Sequence, residues 1–199
     1  GDTRCARCCR RLFCVGWQGE KIFADERYAI LQKGLMRMMT VTLNINGVDR
    51  RLDIEENWTL LYVLRECLHM MGTKYGCGTA DCGSCKVLVD GEEKNSCILL
   101  AKRMEAKKIV TIEGISDGFE LHPVQRAFVD AGAIQCGYCT PGMVISTVAL
   151  LNNNPEPTDE EIAMALDNNL CRCTGYKKIL DAVHLAMQYI KEGKGEQEK

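Results

Sequence analysis

The sequence has no apolar run longer than a few residues, whereas a membrane-spanning helix needs about 20. No transmembrane segment is expected. It lacks an excess of charge of either sign: 25 Lys and Arg stand against 27 Asp and Glu, a net charge of −2, and the positive residues are dispersed. That removes any electrostatic case for a nucleic-acid partner. A secretory leader with an apolar core is also missing, so the expected setting is reducing and cytoplasmic. Histidine is scarce, and His69, His122 and His184 are scattered. His69 and His184 fall on predicted helices and read as packed or solvent-facing, while His122, just before Pro123, reads as a helix-entry residue.

Cysteine is what the chain has in quantity: 13 in 199 residues. Cys77, Cys82 and Cys85 follow one another at C-x4-C-x2-C spacing, and Cys97 comes 12 positions after Cys85. This is the plant-type pattern for a [2Fe–2S] cluster, in which two bridged irons need four thiolates and a short loop delivers three of them. Gly76, Gly78 and Gly83 are expected to take positive φ and to let backbone N–H groups approach the sulfurs. Four cysteines also suit tetrahedral zinc, but structural zinc usually takes two C-x2–4-C knuckles, and Cys97 stands alone behind a strand-like segment.

Periodicity divides the chain. Residues 1–38 carry Cys5, Cys8, Cys9 and Cys14 among arginines without a regular hydrophobic period. They read as an extension outside the core fold rather than as a third metal site. Residues 39–114 read as a small α+β sheet domain. Val41, Leu43 and Ile45 alternate with polar residues, Asn46-Gly47 offers a type I′ turn, and Val48, Leu52 and Ile54 return. Thr59 then caps a helix carrying Leu60, Leu61, Val63, Leu64, Cys67 and Leu68, with Cys67 as a small core residue. Lys86–Val89 and Ile109–Ile112 are further strands.

From 115 to 192 the period changes to that of helices. Pro123 opens one with Val124, Ala127, Phe128 and Ala131 on a face, and Thr140-Pro141 opens a second through Val144, Val148 and Leu151. Thr158 to Glu161 is a capping box for a third, and the fourth is expected to bury Ile179, Val183, Met187 and Ile190. Four short helices with short connections imply a compact bundle, followed by a frayed polar tail over 193–199. In the connections lie Cys136-Gly137-Tyr138-Cys139 and Cys171-Arg172-Cys173. These two pairs can meet if their helices are antiparallel neighbours. C-x2-C with C-x-C is not diagnostic alone, and zinc stays open there; beside the first motif, a second [2Fe–2S] carrier in series is the better reading.

Gly76-Cys77 through Cys85, Cys97, Gln135 through Met143 and Asn169 through Tyr176 together resemble the small iron–sulfur subunit of the molybdenum hydroxylases, the group of xanthine dehydrogenase, aldehyde oxidoreductase, nicotinate dehydrogenase and aerobic carbon monoxide dehydrogenase. The resemblance covers about Thr40 to Ile190. It implies an α+β chain: an N-terminal β-grasp, ferredoxin-like domain, then a four-helix bundle, each with one [2Fe–2S] cluster. It further implies that Cys136, Cys139, Cys171 and Cys173 hold the cluster nearer a molybdenum–pterin group on a large partner subunit. Cys77, Cys82, Cys85 and Cys97 would hold the one nearer FAD on a medium subunit. Gln135 and Cys173 match positions that approach the pterin, and Arg172, between two ligands, is placed to raise the second potential. Ala80 stands where the family loop often has Gly, and Lys86 where it often has Thr. The expected function is single-electron transfer from molybdenum to flavin or another acceptor, with a free-standing two-cluster ferredoxin as the alternative.

Overall fold

The structure, a computed structural model, describes residues 37–116 and 118–197, with side chains of the last helix through Gly193. Cys5, Cys8, Cys9 and Cys14 lie outside the described residues. The hairpin forms as the alternation requires: β1 (Met38–Ile45) pairs antiparallel with β2 (Val48–Glu55), from Met38 opposite Glu55 to Ile45 opposite Val48. Asn46 and Gly47 have φ of 53° and 76°, the positive pair a type I′ turn demands. Val41, Leu43, Ile45 and Ile54 are buried.

Thr59 caps the next helix as expected, its hydroxyl accepting from the Tyr62 amide at 3.2 Å. The helix itself is not regular. Only α1 (Leu60–Tyr62) is α-helical, and Val63–Cys67 continues as a π-helical turn closed by Leu68 N–H on the Val63 carbonyl. His69, expected on this helix, lies beyond it with φ of 55°. Cys67 packs half-buried against the sheet core, as a small core residue should.

After the cysteine loop come β3 (Lys86–Val89), β4 (Glu92–Asn95) and β5 (Lys108–Val110). The sheet order is β2-β1-β5-β3-β4, with β1 and β5 parallel and the other pairs antiparallel. β4 was not expected from hydrophobic pattern, because its charged residues are alternately exposed and half-buried at the sheet edge. Its signal was Asp90-Gly91, whose φ values of 53° and 88° make a second positive-φ hairpin turn.

Four helices follow: α2 (Pro123–Asp130), α3 (Thr140–Asn153), α4 (Asp159–Asp167) and α5 (Lys177–Gln197). Both expected proline starts and the Thr158–Glu161 capping box are present. α5 is 21 residues long, so the helices are not uniformly short, and it runs through most of the tail expected to fray. Its buried face is Ile179, Ala182, Val183 and Ala186, with Met187 and Ile190 only half-buried at the edge.

The described residues thus form a mixed α/β architecture, five strands and five helices, consistent with a ferredoxin-like domain joined to a helical one. β3 is the shared wall. All four of its residues are buried. Strand alternation sends Val87 and Val89 into the sheet core and Leu88 into the helical core with Phe128, Met143 and Ile179.

Candidate iron–sulfur centres

Each group of thiols sits where regular structure stops. Residues 69–85 contain no helix or strand, and this loop brings Cys77, Cys82 and Cys85 round to β3. Gly78 and Gly83 take positive φ of 74° and 67°, as expected. Gly76 does not. Its role is spatial, since a Cβ there would stand 2.5 Å from the Cys82 sulfur. Ala80, at a position the family often gives to glycine, takes φ of 69° and is tied down by Asn95 Nδ2 on its carbonyl at 3.1 Å.

The first group comes together as two pairs. The Cys77 amide donates to Cys82 Sγ at 3.3 Å, and the Thr79 amide to Cys77 Sγ at 3.3 Å. The Thr79 hydroxyl, shared between the Cys77 sulfur and Asp81, is the main cause that holds the exposed Cys77 thiol down at about 6. Cys85 and Cys97 are buried beside Leu61. Burial, with Cys97 adjacent, pushes the Cys85 thiol up to about 11.

The second group also forms pairs. Cys173 Sγ lies 3.6 Å from Cys136 Sγ, and Cys139 lies against Cys171. Cys171 gains contacts from Thr174, whose hydroxyl and amide are 3.0 and 3.5 Å from its sulfur. Burial raises the Cys171 thiol, but these Thr174 bonds outweigh it and the net direction is down. The Tyr138 amide lowers Cys136, whereas the Cys136 neighbour raises Cys173. Burial first, then Cys171, pushes Cys139 up to about 12.

Among the described residues, no three His, Cys, Asp or Glu side chains converge as they would on one metal ion. Pairs are what a binuclear cluster needs, two thiolates to each iron, with N–H donors left to satisfy the remaining sulfur charge. The donor chemistry fits: soft thiols, amide hydrogens directed at sulfur, and protons held up by burial that metal binding would displace.

Several contributors carry no cysteine signal. The Tyr176 hydroxyl accepts from the Cys171 amide at 2.8 Å and donates to the Asn169 carbonyl at 3.0 Å, fixing the second loop. The two loops also touch: Leu170 N–H donates to the Cys82 carbonyl at 3.0 Å, and the Tyr138 hydroxyl donates to the Tyr75 carbonyl. Gln135, Cys136, Arg172 and Cys173 are exposed. Around them Ile134, Tyr138 and Leu170 are 41%, 47% and 66% exposed. A groove of about 320 Å³ lined by Leu121, Phe128, Val129, Ile134 and Pro141 opens beside Gly137. Of the histidines, His122 caps α2 through Nδ1 and His184 pairs with Asp159 at 3.1 Å.

A mixed sheet with three cysteines on one loop and a fourth just beyond β4, abutting helices whose connections carry four more, points to a protein with two [2Fe–2S]-binding domains. Comparison with known proteins agrees. Residues 43–111 match the family described as "2Fe-2S iron-sulfur cluster binding domain", and 111–184 that described as "[2Fe-2S] binding domain". The nicotinate dehydrogenase small FeS subunit of Eubacterium barkeri is 44% identical over 77% of this chain and 98% of its own length. The aldehyde oxidoreductase iron-sulfur-binding subunit of Escherichia coli is 40% identical over 77% of this chain and 74% of its own. Crystallographic quinoline 2-oxidoreductase from Pseudomonas putida superposes with a TM-score of 0.74 at 39% identity, covering 78% of this chain and 98% of that one. The chain therefore belongs to the family of small iron–sulfur subunits of the molybdenum hydroxylases, and it serves electron transfer within an oxidoreductase complex.

Proposed function

We propose that Cys77, Cys82, Cys85 and Cys97 hold one [2Fe–2S] cluster and Cys136, Cys139, Cys171 and Cys173 the other, in two domains covering 39–114 and 115–192. On this reading the first is a β-grasp and the second a four-helix bundle. The observation that carries it is the meeting of the thiols in pairs on two abutting loops. When bound, such a cluster supplies a one-electron site whose potential depends on hydrogen bonds to sulfur and on exposure. The chain's own part is to fix the sulfurs: Thr79 and Thr174 donate to them, Gly76 leaves them room, and Tyr176 holds the Cys171 backbone.

The apolar surroundings of the second thiol group support a direction of transfer. Gln135, Cys136 and Cys173 are exposed among apolar side chains that suit a protein partner better than water. We place there a large subunit carrying molybdenum–pterin, with Gln135 and Cys173 approaching the pterin. The Cys77 group would then pass single electrons to a medium FAD subunit. The chain is taken to work in the cytoplasm, and among its described residues no helix is long and apolar enough to cross a membrane. A free-standing ferredoxin would not need this apolar rim.

The test is electron paramagnetic resonance on the dithionite-reduced chain, with iron and acid-labile sulfide assayed on the same sample. Two distinct [2Fe–2S] signals with four irons per chain are expected. A colourless, zinc-loaded protein would overturn the assignment.

A further inference from the structure

Lys86 is a buried cation that holding the sulfurs does not require. It opens β3 with its side chain 3% exposed, on the same side of the strand as Leu88 and so facing the helices. A buried ammonium persists only when paired and fully hydrogen-bonded. Here its three donors find three acceptors. Nζ reaches the Glu93 carboxylate at 3.0 Å and Ser146 Oγ at 2.8 Å. With the Asn169 amide oriented so that its oxygen faces donors, Nζ also reaches Asn169 Oδ1 at 3.0 Å, Ser146 Oγ donates to that oxygen at 2.7 Å, and Asn169 Nδ2 donates to the Gly83 carbonyl at 3.2 Å.

These partners belong to both thiol groups. Gly83 lies between Cys82 and Cys85, Asn169 two residues before Cys171, and Ser146 on α3, which starts directly after Cys139. Ser146 and Asn169 are each 1% exposed. The compensating Glu93 is 33% exposed at the sheet edge, so water screens its charge more than that of Lys86. The positive member of the pair is thus the one buried between the loops, and the negative member is the one nearer water.

We propose that Lys86 is a positioning residue that knots the two iron–sulfur loops together and whose buried charge favours electron uptake at both, most at the first, whose Cys85 is its chain neighbour. This rests on the cluster assignment above. The experiment is a potentiometric titration of the full chain followed by electron paramagnetic resonance, on the wild type, Lys86→Met and Glu93→Gln. Lys86→Met is expected to lower the equilibrium constant for reducing the first cluster at least tenfold, which is about 59 mV for a one-electron couple, and the second by less. Glu93→Gln removes the opposing charge and is expected to raise it. Shifts of opposite sign are a signature that loosened packing does not give. If Lys86→Met fails to retain its clusters, Glu93→Gln decides: a raised potential supports the proposal, an unchanged or lowered one overturns it. Two wild-type signals whose potentials neither variant moves, or both variants move the same way, overturn the role of Lys86 alone. Absence of the two signals from the wild type overturns the cluster assignment and this proposal with it.

Discussion

A methyl group at position 76 would lie 2.5 Å from Cys82 Sγ and 3.4 Å from Ser84 Oγ, so Gly76→Ala must push the sulfur or the chain aside. Because Gly76 has no positive φ, the penalty is one of space rather than conformation. The expected outcome is loss or several-fold reduction of the first [2Fe–2S] signal with the second retained, read by electron paramagnetic resonance at matched protein concentration. Ala80 poses the opposite problem. Its φ of 69° is a region that costs a non-glycine residue about 1 kcal/mol; the methyl contact with the Leu61, Cys85 and Cys97 cluster offsets part of this, and the Asn95 bond to its carbonyl is one that glycine keeps. Ala80→Gly is therefore expected to stabilise the fold by up to ~1 kcal/mol, a rise of about 2–4 °C in Tm by calorimetry. Both positions are legible in the sequence as residues of the cysteine-bearing loop. What each does there is not, because φ at 80 and the approach of a sulfur at 76 are decided by the closed loop.

Among the elements, helix caps are set by residues a few positions apart, while the winding of a buried turn is set by what it packs against. Thr158 and Glu161 satisfy each other as a capping box should, with Glu161 N–H on Thr158 Oγ1 at 3.3 Å and Thr158 N–H on Glu161 Oε2 at 2.7 Å. Thr158→Ala is expected to cost about 1 kcal/mol, measured as a shifted urea midpoint with unchanged slope. His122 is a less usual cap. Its Nδ1 accepts from the Val124 amide at 3.3 Å, and Gln125 closes the box on the His122 amide. Partial burial holds its imidazole below the ordinary value of 6.5, and protonation removes the lone pair that caps the helix. With the folded pKa depressed, this contribution is fully present above the unfolded pKa and is lost as pH falls through the folded one. Stability should thus drop on acidification below about 6.5, and less in His122→Asn, a cap that does not titrate; urea titrations at several pH values would show the difference. The first hairpin, the turn at Asp90-Gly91 and the Thr59 and Thr158 caps are legible because turn and cap residues act over three or four positions. The π-helical turn after Tyr62 is not, since Val63, Leu64 and Cys67 keep an apolar face under either winding and burial against the sheet selects the wider one.

The whole molecule is tied together at β3, and the least legible feature of the sequence lies there. The C-x4-C-x2-C spacing points to the first site by itself, and the second pair of motifs is read only beside it; the contact between the two loops depends on partners such as Lys86 and Ser146, 60 positions apart, that no local pattern links. A run of four buried residues, Lys86-Val87-Leu88-Val89, reads as a strand covered on both faces; which face meets the helices is set by register. Leu88, 5% exposed, points into the helical core, while Val87 and Val89 belong to the sheet core. If the two halves were independent, trimming Leu88 would loosen only the helices. Because the same backbone carries both cores, and Leu170 N–H on the Cys82 carbonyl and the Lys86 knot join the loops above it, the halves should unfold as one cooperative unit. Leu88→Ala is expected to cost roughly 2–5 kcal/mol through lost burial and the cavity left behind. Its effect should register equally at both sites: the visible absorption of the clusters and the far-ultraviolet helix signal would fall together in one transition at a lower temperature. Separate transitions, with the helical signal lost first and the first cluster retained, would instead show two domains that merely touch.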